Sequence, residues 1–277
     1  MSLLDLYAQR GPLIMGVVNV TPDSFSDGGR HLDLDDALAH AQTLVDDGAD
    51  VLDIGGESTR PGAHPVSLDD ELGRVIPLIH ALSQRFDIPL SIDTLKPEVA
   101  EEARHAGAEI WNDVSALSNT SESLETAARF DGDIVLMHMK GEPRTMQSNP
   151  WYEDVVAEVE SYLLERAGEA LRAGVRRDRI WLDPGIGFGK TLDHNLALIR
   201  ATSRLASHGF PLLMAASRKR FIAALEERDG AEPSAPEDRL GASIAVHLHA
   251  VRNGAKMVRV HDVRAMRQAL RVWEAIS

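Results

Sequence analysis

A chain of 277 residues, 44% of them hydrophobic and 26% charged, is long enough to bury a large core, as one α/β domain or as two smaller ones. Its formal net charge of −14 argues by bulk electrostatics against nucleic acid or an anionic membrane as a partner, so any anion site has to be a local cluster of cations. Cysteine is absent, no charged-then-apolar leader precedes the first strand, and no apolar run approaches bilayer length, which together point to a cytoplasmic protein without disulfides.

Short apolar segments rich in branched residues recur eight times, each followed by a loop and a longer stretch with helical spacing. The first strand is predicted at 13–20 ("LIMGVVNV"), and the loop after it, 19–29, is dense in Gly, Pro, Ser and Asp. A helix follows in "DLDDALAHAQTLVDDGA", acidic in its first turn and stopped at Gly48. Strand two spans 50–56 and runs into a second Gly/Pro/Ser/Thr-rich loop, 55–65. Strands three, four and five are predicted at 89–94, 109–115 and 133–139, and the longest helix, in "WYEDVVAEVESYLLERAGEALRAG", closes at Gly174. Strand six, at 180–185, leads into "DPGIGFGKT". This stretch fails as a phosphate-binding P-loop, because Pro184, which has no N–H, stands where that loop needs its first glycine; it fails as a dinucleotide fingerprint, because Lys190 holds the place of the last glycine. Strands seven and eight fall at 212–218 and 257–262, with a Pro/Ala/acid-rich surface loop, 228–238, between them.

Eight strand-helix units with no break in composition predict a single TIM (β/α)8 barrel domain over 1–277, with a doubly wound open sheet as the competitor. The placement of polar residues favours the barrel. Asn19, Asp53, Asp93, Asn112, His138, Asp183, Ser217, Arg218, Arg259 and His261 all stand at or beside the C-terminal end of a strand, where a barrel gathers its active site.

Asp93, Asn112 and Asp183 supply acceptors and an amide but no nucleophile with an adjacent base, which suits recognition of a flat heterocycle with several N–H groups. For any one of them alone, a helix N-cap is the competing reading. "SRKR" and "RVHD", at the ends of strands seven and eight, carry the opposite charge and form the expected anion site. Against this, Lys219 and Arg220 could be solvated residues opening a helix, and His261 a packed histidine. The first two loops carry Asp23, Phe25, Asp27, Thr59 and Arg60, the kind of residues a closing lid needs. His138, between Met137 and Met139, reads as strand-end packing. No His/Cys/Asp/Glu spacing suggests zinc, and a Mg2+ ion held by few protein oxygens and a substrate diphosphate would leave little trace in sequence.

Taken in order, "MGVVNVTPDSFSDGG", "GADVLDIGGESTRPGA", "SIDT", "NDVSAL", "MHMKGEPRTMQ", "LDPGIGFGK", "SRK" and "RVHDV" resemble the dihydropteroate synthase family over nearly the whole chain. The resemblance implies a barrel, usually homodimeric, that joins 4-aminobenzoate to 6-hydroxymethyl-7,8-dihydropterin diphosphate and releases diphosphate with the help of Mg2+. Carried over by position, it places Asp93, Asn112, Asp183 and Lys219 on the pterin, Arg259 over the pterin face and against the diphosphate, and His261 on the phosphates. It gives Asn19 to the metal, and Phe25, Thr59, Arg60, Pro61, Phe188 and Ser217 to the aminobenzoate side, with the glycines of "DPGIGFGK" letting backbone pass close to the ligand. Asp27 would face the developing positive charge, making Asp27, Arg60, Lys219, Arg259 and His261 the expected catalytic set. Two departures stand out: Ala215 where many relatives have Gly, and Arg220 where many have Ser, both expected to matter little because Ser217, Arg218 and Lys219 remain. The loop 228–238 matches the family poorly and is a candidate for altered dimer contacts. A barrel that transfers a methyl group from methyltetrahydrofolate to a corrinoid would share the ring-reading carboxylates but not the anion clamp. An inactive pterin-binding paralogue would be expected to lack a loop or phosphate residue.

Overall fold

The computed structural model describes residues 2–20, 30–58, 64–142 and 144–276, with 30–33 described by their backbone only. In chain order the elements are α1 (Leu3–Arg10), β1 (Leu13–Asn19), α2 (Arg30–Asp46), β2 (Val51–Gly55), α3 (Leu68–Arg85), β3 (Leu90–Asp93), α4 (Pro97–Ala106), β4 (Ile110–Asp113), α5 (Ser123–Phe130) and β5 (Asp133–Met137). There follow α6 (Val155–Ala173), β6 (Ile180–Asp183), α7 (Leu192–Arg200), α8 (Thr202–Ala206), β7 (Leu213–Met214), α9 (Arg220–Arg228), α10 (Leu240–Arg252), β8 (Met257–Val260) and α11 (Val263–Ile276).

All strand pairings are parallel, in the order β6-β5-β4-β3-β2-β1-β8-β7. A parallel bridge from Leu182 to Leu212, with the Leu182 N–H donating to the Pro211 carbonyl at 2.9 Å, joins the two ends and closes the barrel. The open-sheet alternative is thereby excluded. The strands are shorter than the apolar runs suggest. β7 keeps two residues of the seven predicted and β4 four of seven, because the runs continue into loop residues that are buried but bond sideways rather than along a ladder. α2 begins at Arg30, three residues ahead of the expected start.

Side chains alternate along each strand, and the alternation builds the site. Leu13, Met15, Val51, Ile110, Val135, Trp181, Leu213 and Met257 form one inward cluster that fills the barrel. The outward set, including Ile14, Val18, Leu52, Ile54, Ile92 and Trp111, packs against the helices. Two residues further along the same inward face come Asp53 after Val51, Asn112 after Ile110, Asp183 after Trp181 and Arg259 after Met257. An apolar floor is thus topped by a polar layer at the C-terminal mouth.

The N-terminal end is closed by α1, which the strand pattern did not predict. Ser2 caps it through the Asp5 N–H, and Leu3 and Leu6 join the inward cluster. The buried Asp133 carboxylate accepts the Leu3 N–H at 3.1 Å, an Arg179 N–H at 3.0 Å and the Trp181 indole N–H at 3.2 Å. Leu6→Ala opens a cavity against a floor of large side chains and should lower stability by about 2–4 kcal/mol in urea unfolding, with little effect on the distant mouth. Among the described residues, no helix is long and apolar enough to cross a membrane.

Candidate active site

The polar rim is assembled by register. Asn19 pairs with Gly55, Gly55 with Asp93, and Asp93 with Asn112, so the ends of β1 to β4 stand level. At its centre lies Arg259, whose Nε donates to Asp53 Oδ2 at 2.5 Å and whose Nη2 donates to Asp93 Oδ2 at 2.8 Å. Asn112 Nδ2 also donates to Asp53 Oδ2, at 3.2 Å. The other oxygens, Oδ1 of Asp53 and Oδ1 of Asp93, are buried and receive no hydrogen bond from any described residue. Burial pushes the Asp93 carboxyl up to about 7, with Arg259 opposing and the neighbouring Asp53 adding to the rise. A rim that buries bare acceptors is matched to a ligand that brings donors.

Asp183 faces the same interior from β6. Its Oδ1 accepts the Gly185 N–H at 2.7 Å, burial raises its pKa, and the Lys219 ammonium draws it back down. Lys219, at the N-terminus of α9, is half-buried rather than solvated; its Nζ donates to the Ile186 carbonyl at 2.5 Å and lies 4.3 Å from the centre of the Phe188 ring. Burial pushes the Lys219 amine down to about 8, against Asp183, which holds it up. Ser217 links β7 to β8: its Oγ accepts the His261 N–H at 3.2 Å and lies 3.0 Å from His261 Nδ1. Asp93, Asn112, Asp183, Phe188, Ser217, Lys219, Arg259 and His261 are thus brought to one mouth together with Asn19. Phe25, Asp27, Thr59, Arg60 and Pro61 lie outside the described residues, as does Asp23.

Two expectations need correcting. Arg218 is not part of an open cationic patch: its guanidinium clamps Asp262 at 2.9 and 2.5 Å, while its backbone sits at φ 58, a left-handed conformation that costs a non-glycine residue on the order of 1 kcal/mol. The Ser243 hydroxyl, accepting the Arg218 N–H, and Arg239, donating to its carbonyl, hold that conformation and tie the end of the 228–238 loop to the site. Arg220 is exposed at the first turn of α9, and Ala215 is buried. The glycines of "DPGIGFGK" do not serve ligand approach alone. A Cβ on Gly185 would stand 1.9 Å from the His138 carbonyl oxygen and one on Gly189 2.2 Å from that of Lys140, so both, at φ +66 and +63, let the loop after β6 press on the loop after β5.

Two contributors were absent from the expected set. Asp53 was visible as a carboxylate inside an apolar strand, a position that demands a partner. The base of the second loop is fixed by Lys96, whose Nζ donates to both Glu57 and the buried Glu71 at 2.5 Å, and by Glu57 Oε1, which accepts the Val66 N–H at 3.3 Å across the loop's neck. No local motif announces that network. Among the described residues, no three or more His, Cys, Asp or Glu gather where they could hold a metal ion. Asn19 offers a single carboxamide oxygen near Asp93, each about 4 Å or less from the Cβ position of Gly55. That donor set suits a hard cation arriving with a phosphorylated ligand rather than one caged by protein.

A barrel whose mouth sets bare carboxylate oxygens beside a guanidinium, an amine and a histidine belongs to the enzymes that grip a polar planar ring and an anion side by side. A family model described as "Pterin binding enzyme" matches residues 15–261. The dihydropteroate synthase of Escherichia coli (strain K12) is 46% identical over 264 residues, covering 95% of this chain and 91% of that protein. The structure of Xanthomonas albilineans dihydropteroate synthase with 4-aminobenzoic acid is similar at 48% identity and a TM-score of 0.88, over 96% of this chain and 93% of that one. The complex of the Xanthomonas albilineans enzyme with 7,8-dihydropteroate is similar at 44% identity and a TM-score of 0.84, over the same shares of the two chains. The chain belongs to the pterin-binding enzyme family and, within it, to the dihydropteroate synthases.

Proposed function

We infer that this chain condenses 6-hydroxymethyl-7,8-dihydropterin diphosphate with 4-aminobenzoate, giving 7,8-dihydropteroate and diphosphate. The observation that carries the reading is the inward rim on which Asp93 and Asp183 stand beside Lys219 and Arg259. The carboxylates receive the N–H edge of the pterin in charge-assisted hydrogen bonds, with Asn112 alongside and Lys219 donating to a ring acceptor. Arg259 and His261, with Arg60, stabilise the departing diphosphate. The methylene C–O bond breaks with its electron pair leaving on diphosphate, and the ring-stabilised cation is captured by the arylamine nitrogen. A C–N bond forms and that nitrogen gives up a proton. No base-activated nucleophile is required. Phe25, Thr59, Arg60, Pro61, Phe188 and Ser217 form the aminobenzoate side. Asn19 would be the residue to hold a Mg2+ ion arriving with the substrate, and that ion would supply charge neutralisation for the leaving group. A cytoplasmic homodimer is the working form we propose, on the family likeness.

The test is product identity. Incubation with both substrates should yield dihydropteroate and diphosphate, and no dihydropteroate with 4-aminobenzoate omitted; absence of dihydropteroate with both present would overturn the reading. The ionisation of Lys219 makes a second prediction. Above about pH 8 the amine is neutral and its contribution to the pterin is lost, so kcat/KM for the pterin substrate should fall on that side. Lys219→Arg, which stays protonated, should remove that limb while lowering the plateau, and a limb unchanged by this substitution would assign it elsewhere. Asp27, proposed to face the methylene cation, should show a third behaviour: Asp27→Asn lowers kcat far more than it weakens pterin binding, and equal losses would make it a loop-shaping residue.

A further inference from the structure

Behind the loop that carries Phe188 lies a buried amine that the reaction above does not use. Lys190 is 3% exposed. Its Nζ lies 2.9 Å from His138 Nδ1 and donates to the His138 carbonyl at 3.2 Å and to the Phe188 carbonyl at 3.0 Å. The amine therefore meets three polar atoms, none of them on a carboxylate. Burial pushes the Lys190 amine well below its ordinary value and the His138 ring down to about 3. The ring is neutral at working pH, and its Nδ1 faces the amine. Its edge-on contact with Tyr162, at 5.0 Å between centroids, and the His138 N–H donating to the Asp183 carbonyl at 3.0 Å keep it in place.

The same loop is held from several sides. Lys219 grips Ile186 from within the mouth, Gln147 donates to the Gly187 carbonyl, Tyr152 donates to the Gly189 carbonyl at 2.9 Å, and Asn195 accepts the Gly187 N–H at 2.7 Å. Among the described residues only Lys190 reaches the carbonyl of Phe188 itself, and the Phe188 ring is the one that lies against Lys219. A methionine of similar length would fill the same space without the cost of desolvating an amine. What the amine adds is direction: it fixes one carbonyl against two acceptors on the neighbouring loop.

We propose that Lys190 is a positioning residue for the aminobenzoate side, holding the Phe188 peptide from behind so that the Phe188 ring stands at the height where Lys219 and the arylamine substrate meet it. This role rests on the proposed reaction and on Phe188 lining the aminobenzoate side. Lys190→Met should raise the KM for 4-aminobenzoate by about tenfold, the loss of one buried hydrogen bond, with kcat and the Kd for the pterin diphosphate within about twofold of the unsubstituted enzyme. The deciding measurement is a double-mutant cycle with Phe188→Ala: the effect of Lys190→Met on that KM should disappear once the ring is gone. If the methionine variant does not fold, Lys190→Gln, whose shorter amide cannot reach all three acceptors, carries the same cycle, with an expected KM rise of about threefold. An unchanged KM, an effect that adds fully to that of Phe188→Ala, or equal losses in kcat, pterin affinity and KM would overturn the role. Absence of dihydropteroate from the unsubstituted enzyme would instead overturn the reaction on which it rests, and the two failures are told apart by that control.

Discussion

Replacing Arg259 with methionine is expected to cost about 3–5 kcal/mol of folding stability and on the order of a hundredfold or more in kcat, the largest combined effect of any single substitution in the mouth. The stability loss follows from what is left behind. Asp53 is fully buried and Asp93 half-buried, both spend an oxygen on Arg259, and each has a second, buried oxygen with no donor among the described residues. Without the guanidinium Asp53 keeps only the Asn112 amide as a side-chain donor among the described residues, and Asp93 loses its cation beside a second buried carboxylate. The pH dependence of the loss has a definite sign. Burial and Asp53 already hold the Asp93 carboxyl up at about 7, and removal of Arg259 removes the main influence lowering it. A carboxyl whose folded pKa lies above its unfolded one destabilises the fold while ionised. The loss relative to the unsubstituted protein should therefore be greatest well above pH 7 and shrink as pH falls through 7, where Asp93 takes up its proton in both proteins, as urea midpoints from pH 9 to 6 would show. A penalty that grew on acidification would mean that Arg259 is not the partner these carboxylates depend on. The activity loss has a separate origin, since the same guanidinium is proposed to meet the departing diphosphate.

Asp183→Asn should leave the fold nearly intact and lower kcat/KM for the pterin substrate by about 10²–10³. The asparagine carboxamide oxygen can keep the bond from the Gly185 N–H, so the turn after β6 survives. What changes is the charge in the mouth. The N–H edge of the ring loses its carboxylate, and Lys219 loses the negative neighbour that holds its amine up against burial. The high-pH limb should accordingly move below 8 in this variant while the melting temperature shifts little. A variant with wild-type pterin affinity would remove Asp183 from the recognition set.

The barrel and most of the rim were legible in the sequence because both rest on local rules. Buried parallel strands read as apolar runs, and inward positions at strand ends must be polar where a ligand is bound. The ends of the strands were less legible: the apolar or buried run continues past Met214 and Asp113, yet the Ala216 N–H donates to the His247 ring and the Ser115 and Leu117 N–H groups donate to the Asp113 carboxylate rather than to a ladder. Charge was misread where the partner is remote. Arg218 looked like an anion ligand because Asp262, which neutralises it, stands 44 positions away in the chain, and Arg259 reaches Asp53 over 206. The plug formed by α1 was missed for the opposite reason, since eight residues with two buried leucines carry too short a pattern to distinguish a barrel cap from a solvated end.

The central claim is that one mouth holds the ring by carboxylates and the leaving anion by cations. A crystal structure of this protein with 6-hydroxymethyl-7,8-dihydropterin diphosphate bound tests it most directly. The account predicts the N–H edge of the pterin on Asp93 and Asp183, Lys219 on a ring acceptor, and the diphosphate against Arg259 and His261. A ring bound away from Asp183, or a diphosphate that makes no contact with Arg259 or His261, would contradict it.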